Sequence, residues 1–192
     1  MNIAIISGSP RQNSNTLRVA KAISLLSPCG ETDEKFLIDF AGYDLPFLNQ
    51  GNLEPGKLSP FQESLVNAIN RSQLIYILTP EYNWFPSAEL VNMIHQLANK
   101  NFKYLFEDKV FALAGISSGR GGRMPAVQLS YVFNKLINVF SSHSIVSGKI
   151  FESQFTPKVL NEEGQSLGNN EYDKGLMDFI QYSSRIGEKW AK

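Results

Sequence analysis

The stretch that decides the fold is Ile3-Ala4-Ile5-Ile6-Ser7-Gly8-Ser9-Pro10-Arg11-Gln12-Asn13-Ser14-Asn15-Thr16. Its first four residues are apolar without alternation, a pattern typical of a strand that is covered on both faces in a parallel sheet. Gly8 and Pro10 end the strand, and an apolar helical periodicity begins near Thr16. A strand, a short polar loop and a helix start predict the first unit of an α/β domain.

The polar loop in this stretch carries groups that bind anions. A helix N-terminus offers unpaired backbone N–H groups at the positive end of the helix dipole. Arg11 adds a fork of donors that matches phosphate oxygens, and short polar side chains follow at Ser9, Ser14, Asn15 and Thr16. The alternative is a well-capped helix, because Ser and Asn are preferred N-cap residues. Since a cap needs only one such residue, the cluster favours a phosphate site.

Composition limits the classes of protein and partner. The 192 residues predict one domain over residues 1–192, and 43% apolar with 19% charged residues indicates a globular chain. Eighteen basic residues balance eighteen acidic ones, so no charge excess favours nucleic acid or an anionic membrane. Cys29, the only cysteine, is expected to be an inert loop thiol. With no signal-peptide or membrane-span pattern, the prediction is a cytoplasmic protein without a metal site.

Strand and helix patterns alternate along the whole chain. After the first strand, the apolar runs predict strands at 35–40, 74–78, 110–116 and 144–151, and helical periodicity follows each of them. The Pro- and Gly-rich stretch 41–59 is predicted to be a long loop that packs over a site or an interface. The alternation predicts a flavodoxin-like, doubly wound, five-stranded parallel sheet in the order 2-1-3-4-5, with helices on both faces.

In such a sheet, ligands bind at the carboxyl ends of the strands, at the switch point between strands one and three. Loops 7–16, 79–86 and 117–123 are therefore expected to converge. In the second loop, Tyr82 and Trp84 could line a flat ring and Asn83 could bind the edge of a heterocycle, while Phe85 is interpreted as a core or interface residue. The glycines of the third loop let backbone lie against a ligand, although a flexible turn is the alternative.

Four motifs along the chain are Gly8-Ser9-Pro10-Arg11 with Ser14-Asn15-Thr16, Asp44-Leu45-Pro46-Phe47-Leu48-Asn49-Gln50, Thr79-Pro80-Glu81-Tyr82-Asn83 and Ser117-Ser118-Gly119-Arg120-Gly121-Gly122. Together they resemble the NAD(P)H-dependent FMN reductase family, which includes quinone, azo-dye and chromate reductases. The resemblance runs nearly end to end, and the third motif is the most specific.

The resemblance implies an FMN site in which the flavin carries the chemistry and no residue acts as an acid or base. The implied contacts are Ser9, Arg11, Ser14, Asn15 and Thr16 at the phosphate, Pro80, Glu81, Tyr82 and Asn83 at the ring edge, and Ser117, Ser118, Gly119 and Arg120 on the other side. It also implies NADPH or NADH as reductant, a small acceptor (a quinone, free flavin, azo compound or metal oxyanion) and a homodimer or homotetramer. Arg120 and Arg123 could meet the 2′-phosphate of NADPH, but solvated loop arginines are the favoured interpretation.

One departure from the family pattern concerns the second loop. The family usually has Gly after the asparagine, and this chain has Trp84. Three consequences are open: Trp84 crowds the flavin face, narrows the substrate opening, or packs against a partner subunit. The helix that follows keeps Leu90, Asn92 and Ile94 of the family pattern.

Two other classes of protein compete with a reductase as interpretations of this sequence. A flavin-binding electron carrier, or an inactive relative, would use the same loops, but carriers of this fold are typically strongly acidic and this chain is neutral. Residues Gly115 to Gly119 match the G-x-S-x-G motif of serine hydrolases. The hydrolase order Ser, acid, His is not possible, because no Asp or Glu occurs between Ser117 and His143.

Overall fold

The strands of the computed structural model, which describes residues 1–28 and 30–190, form one parallel sheet. The strands are β1 (Ile3–Ser7), β2 (Lys35–Asp39), β3 (Leu74–Pro80), β4 (Val110–Ile116), β5 (Ile145–Val146) and β6 (Phe151–Ser153). Their order is β2-β1-β3-β4-β5, and β6 also pairs with β4. The predicted order is therefore confirmed. Cys29 lies outside the described residues.

The fifth strand position is interrupted, whereas the sequence pattern predicts one strand over 144–151. β5 pairs with the start of β4, at Val110 and Phe111, and β6 pairs with its end, from Ala114 to Ile116. The residues between them include Gly148, and glycine is a poor strand former. The interruption places residues 151–156 beside the carboxyl end of β4, which matters for the site.

Within residues 1–28 and 30–190, six α-helices cover the sheet: α1 (Asn15–Leu26), α2 (Pro60–Arg71), α3 (Ala88–Leu97), α4 (Arg123–Phe140), α5 (Thr156–Val159) and α6 (Asn170–Trp190). Serine hydroxyls cap three of them, because Ser14, Ser59 and Ser87 each accept a backbone N–H of the first turn. Short 3-10 turns lie at Phe40–Gly42 and Lys103–Phe106. Among the described residues, no helix combines the length and the apolar composition that crossing a membrane requires.

Two apolar clusters lie on the two faces of the sheet. In β1, Ile3 and Ile5 belong to the cluster under α1 and α6, while Ala4 and Ile6 belong to the cluster under α2, α3 and α4. Successive side chains of a strand point to opposite faces. An uninterrupted apolar run is therefore what a strand between two helix layers requires, and all four residues are fully buried.

The long loop 41–59 is held by two buried amides on α3. The Asn92 side chain donates to the Tyr43 hydroxyl (2.6 Å) and the Pro46 carbonyl oxygen (2.9 Å), and it accepts the Leu48 N–H (2.9 Å). Gln96 repeats the pattern one helical turn later, with bonds to Pro46, Gly51 and Leu53. These bonds pair backbone groups of the loop, including the buried Leu53 N–H, with side chains of α3, so a loop without regular structure is held firmly on α3.

Candidate functional site

Three loops lie at the carboxyl edge of the sheet. They are the first loop (residues 8–14, after β1), the second loop (residues 81–87, after β3) and the third loop (residues 117–122, after β4). Because β3 lies between β1 and β4, the three loops are neighbours. This is the convergence that the order of elements predicts, at the position where ligands bind in doubly wound sheets.

The first and second loops meet through the Tyr82 side chain. Its hydroxyl lies 3.3 Å from the Ser9 Oγ, and the Arg11 guanidinium carbon lies 4.7 Å from the centre of its ring. The Ser9 Oγ also accepts the Arg11 N–H at 3.4 Å. Three residues from two distant segments therefore form one polar cluster with a positive charge.

The N-terminus of α1 lies directly after this cluster. The Ser14 Oγ accepts the Leu17 N–H at 3.1 Å, so the predicted cap is present. One cap satisfies one donor, and a helix has four N–H groups without intrahelical partners. Asn15 and Thr16 are the first two helical residues, so their N–H groups have no partner within the helix. The cap at Ser14 thus leaves further N–H donors at the start of α1.

The second loop contains a tight turn with two residues in left-handed backbone. The Tyr82 N–H donates to the Phe85 carbonyl oxygen (3.0 Å) and the Phe85 N–H donates to that of Tyr82 (3.1 Å). The two central residues are Asn83, with φ 50°, and Trp84, with φ 71°. Positive φ at both positions favours Asn-Gly in such turns, so Trp84 occupies a position where glycine is favoured. Its side chain is 68% exposed.

Glu81 connects the second loop to the third. Its backbone N–H donates to the Ile116 carbonyl oxygen at 2.9 Å, and its carboxylate accepts the N–H of Gly122. Gly121, with φ 143°, lies against the same carboxylate, and a side chain there would overlap with it. Pro80, the residue before Glu81, is buried as the last residue of β3. The Glu81 carboxylate therefore orients the third loop.

The third loop is anchored to the segment between β6 and α5. The Ser117 N–H donates to the Ser153 carbonyl oxygen (2.8 Å), and the Ser117 carbonyl oxygen accepts the Thr156 N–H (3.2 Å) and Oγ1–H (3.0 Å). The Phe155 N–H donates to the Gly119 carbonyl oxygen at 2.9 Å. Two further predicted residues, Ser118 and Arg120, are exposed in this loop.

The G-x-S-x-G motif at residues 115–119 has a structural role in the packing of the third loop against β4. An added Cβ at Gly115 would overlap with the carbonyl oxygen of Gly122, so the first glycine of the motif allows the third loop to fold back on β4. The Ser117 Oγ accepts the Gly119 N–H at 3.3 Å. His143 precedes β5, at the opposite edge of the sheet, where its Nδ1 lies 2.7 Å from Glu107. Ser117 and His143 are therefore too far apart to form a hydrolase site.

The sequence patterns predict no role for two features at the carboxyl edge of the sheet, Asp39 and the segment 153–156. Asp39, the last residue of β2, lies beside Ser7 in the strand register, and burial raises the pKa of its carboxyl group. Its Oδ1 accepts the Ala41 N–H at 3.3 Å. The segment 153–156 was also missed, because the two short strands before it leave no periodic pattern.

Two large cavities border the loops. One, of about 750 Å³, lies between α3 and α4, and its lining includes Phe47, Phe85, Val91, Val132 and Leu136. The other, of about 570 Å³, lies beside the third loop, and its lining includes Phe151, Phe155, Lys158 and Tyr172. Neither is lined by Ser9, Arg11 or Tyr82. Among the described residues, no group of three His, Cys, Asp or Glu side chains could hold a metal ion.

The sequence profile of the NADPH-dependent FMN reductases matches residues 1–150, a segment that contains all three loops. The chain belongs to this family. Membership makes it a flavin-dependent oxidoreductase, with FMN as the flavin and NAD(P)H as the reductant. Residues 151–190, which build the cavity of about 570 Å³, follow the matched segment.

Solved structures of flavin enzymes have the same fold. FerB of Paracoccus denitrificans, a flavoenzyme NAD(P)H:(acceptor) oxidoreductase, has a TM-score of 0.75 at 19% identity, over 98% of this chain and 97% of its own. The apo NADH:FMN oxidoreductase EMOB has a TM-score of 0.60 at 16% identity, over 96% and 89%. An FMN-dependent NADH-azoreductase of Bacillus anthracis, solved with FMN, has a TM-score of 0.57 at 11% identity, over 97% and 100%.

The donors in this FMN reductase fit the flavin of its family. A phosphate monoester needs several N–H or O–H donors and a nearby positive charge. Ser9, Arg11, Tyr82 and the first turn of α1 supply these in one place. At Gly119, an added Cβ would face open space, so the third loop can accept a ligand against its backbone.

Proposed function

We propose that this enzyme passes hydride from NADPH or NADH through FMN, bound by the three loops, to a small acceptor such as a quinone, free flavin, azo compound or metal oxyanion. The observation that carries the proposal is the cluster of Ser9, Arg11 and Tyr82 beside the N-terminus of α1. It lies at the switch point between β1 and β3 and offers hydroxyl, guanidinium and backbone donors together.

The phosphate end of the site uses this cluster. Arg11 supplies a charge-assisted, two-pronged contact, Ser9 a hydroxyl, and Asn15 and Thr16 their backbone N–H groups. Ser14 keeps the helix start in place through its cap. We assign the Tyr82 hydroxyl to this end as well, because its hydrogen-bond partner is Ser9.

The ring end uses the second and third loops. We assign the flavin edge to the backbone of Pro80 and Tyr82 and to Asn83, and the other side to Ser117, Ser118, Gly119 and Arg120. Glu81 orients the third loop through the N–H of Gly122. The chemistry that FMN supplies when bound is acceptance of hydride from the nicotinamide and donation of electrons to the acceptor.

We further propose a homodimer, or a homotetramer built from such dimers, through the face of α3 and α4. The apolar groove there has a volume of about 750 Å³, and Phe85 and Trp84 at its end are 63% and 68% exposed. Val91 and Val132 in the groove are each 38% exposed. A contiguous apolar surface of this kind supports a protein partner, and a second copy would cover the second loop of the first.

Arg11→Ala tests the flavin site, with Arg185→Ala on the exposed face of α6 as the matched control. Loss of a hydrogen bond to a charged group is worth about 1.5–3 kcal/mol. We therefore expect the dissociation constant for FMN to rise roughly 10- to 150-fold, while that for riboflavin, which lacks the phosphate, stays unchanged. Fluorescence titration measures both constants.

Three results would each contradict a different part of the proposal. If Arg11→Ala bound FMN with unchanged affinity, the assignment of Arg11 to the phosphate would be wrong. If the wild-type protein bound no FMN, the proposal that the three loops form an FMN site would be wrong. Protein that binds FMN but is not bleached anaerobically by NADPH or NADH would be an electron carrier and not a reductase.

A further inference from the structure

We propose that Thr156 is a positioning residue for the flavin site, and that it holds the third loop through a chain of hydroxyl groups that also includes Ser153 and Tyr172. The inference rests on the proposed function, because it concerns the loop that we assign to the flavin ring. All three residues follow residue 150, where the match to the family profile ends. Membership of the family therefore does not itself imply this role.

Two carbonyl groups of the third loop point towards the segment that follows β6. The Ser117 carbonyl oxygen accepts both the N–H (3.2 Å) and the hydroxyl (3.0 Å) of Thr156. The Gly119 carbonyl oxygen accepts the Phe155 N–H at 2.9 Å. Because β6 pairs with the edge of β4 that faces away from β3, both carbonyl groups point away from the switch point between β1 and β3.

The orientation of these carbonyl groups sets the direction of two N–H groups. In a trans peptide unit, the carbonyl of one residue and the N–H of the next residue point in opposite directions. The N–H groups of Ser118 and Arg120 therefore point away from the segment 153–156, towards the side of β4 on which β3 lies. In the part of the chain that the structure describes, neither N–H group has a hydrogen-bond partner. They are two free donors for acceptor atoms at the edge of a flat ring.

Hydroxyl groups extend the anchor at Thr156 to the first turn of α6. The Thr156 Oγ1 lies 2.8 Å from the Ser153 Oγ, which lies 2.9 Å from the Tyr172 hydroxyl oxygen. A carbonyl oxygen only accepts, so the Thr156 hydroxyl donates its proton to the carbonyl oxygens of Ser117 (3.0 Å) and Ser153 (3.2 Å). The other two contacts then each have a proton only if Tyr172 donates to Ser153 and Ser153 donates to Thr156. Burial raises the pKa of Tyr172 to about 12, so its hydroxyl keeps the proton that this chain requires.

Loss of the Thr156 hydroxyl should loosen the third loop without detaching it. Ser153 and Thr156 are fully buried, so water does not replace the missing hydrogen bond. The backbone N–H groups of Thr156 and Phe155 would still donate to the loop. The anchor would thus be weakened, and the two free N–H groups of the loop would hold a less fixed direction. The site would then bind the flavin ring more weakly, while the phosphate end would keep its contacts.

Thr156→Val tests this role, because it replaces the hydroxyl with a methyl group of similar size, whereas Thr156→Ser keeps the hydroxyl. We expect Thr156→Val to raise the dissociation constants for FMN and for riboflavin by the same factor, roughly 2- to 12-fold, as one neutral hydrogen bond provides. Thr156→Ser should bind both flavins as wild type does. Fluorescence titration measures these constants.

The midpoint potential of the bound FMN provides a second measurement, which a purely structural role would not change. N–H donors stabilise the negative charge that reduction adds to the flavin. Thr156→Val should therefore lower the potential, by about 30 mV for each tenfold loss of preference for reduced over oxidised flavin. Thr156→Ser should have the wild-type potential.

Tyr172→Phe removes the far end of the chain and serves as the second variant if Thr156→Val does not fold. It should raise both dissociation constants by an equal factor, smaller than that of Thr156→Val. Tyr76→Phe is the matched control, because the Tyr76 hydroxyl is also buried but donates to the Ile180 carbonyl oxygen on α6 (3.5 Å). This control should leave both constants unchanged.

The outcomes separate this inference from the proposed function. If wild type binds both flavins and Thr156→Val, or Tyr172→Phe in its place, leaves both constants unchanged, the inference alone is wrong. A rise for FMN without a rise for riboflavin would also overturn it, because the effect would then lie at the phosphate end. Wild-type protein that binds neither flavin would overturn the proposed function and the inference together.

Discussion

At position 84, glycine should give a more stable protein than alanine, although replacing alanine with glycine usually lowers stability. Trp84 has φ 71° in the turn closed by the hydrogen bonds between Tyr82 and Phe85. The side chain is 68% exposed, so its removal forfeits little burial in the monomer. The backbone conformation is therefore the dominant contribution.

The magnitude follows from two opposing effects. Left-handed backbone costs an L-residue with a side chain roughly 1–2 kcal/mol, and glycine is free of this cost. Glycine also increases the entropy of the unfolded chain, which offsets about 0.4–1 kcal/mol. With central values of about 1.5 and about 0.7 kcal/mol, the net stabilisation of Trp84→Gly relative to Trp84→Ala is about 0.8 kcal/mol.

Trp84→Ala is the required reference because it removes the indole and keeps the backbone cost. Urea unfolding of flavin-free protein at one fixed concentration measures both variants. For a slope of about 2 kcal/mol/M, the midpoint of the glycine variant should exceed that of the alanine variant by roughly 0.4 M. Equal midpoints, or a lower midpoint for glycine, would refute the conclusion that the turn holds Trp84 under strain.

Two further predictions concern the third loop and the opposite edge of the sheet. Gly115→Ala should destabilise by about 2–3 kcal/mol in urea unfolding, because its Cβ overlaps with the Gly122 backbone, whereas Gly119→Ala, which meets open space, should be nearly neutral. A hydrogen bond to Glu107 raises the pKa of His143 above its usual 6.5. His143→Ala should therefore lower the urea midpoint at about pH 6, and the difference should vanish as the pH rises through the raised pKa; a difference that persists at high pH would contradict this.

The order of the sheet and the convergence of the three loops could be predicted from the sequence because both follow from local pattern. Apolar runs without alternation mark strands buried on both faces, and their alternation with helices leaves few topologies. The interrupted fifth strand and the short helix α5 could not be predicted. Segments of two to four residues leave no periodicity to detect, and their pairing with β4 supplies their structure.

The sequence by itself therefore determined the order of the elements, the family and the chemical groups available at the carboxyl edge of the sheet. Only the tertiary structure decided which partner each group takes. It placed the Glu81 carboxylate on Gly122, the Tyr82 hydroxyl on Ser9, and the Phe155 segment against the third loop. These pairings join residues that are far apart in the chain. Their distances depend on how strands and helices pack, and no local pattern in the sequence encodes such a distance.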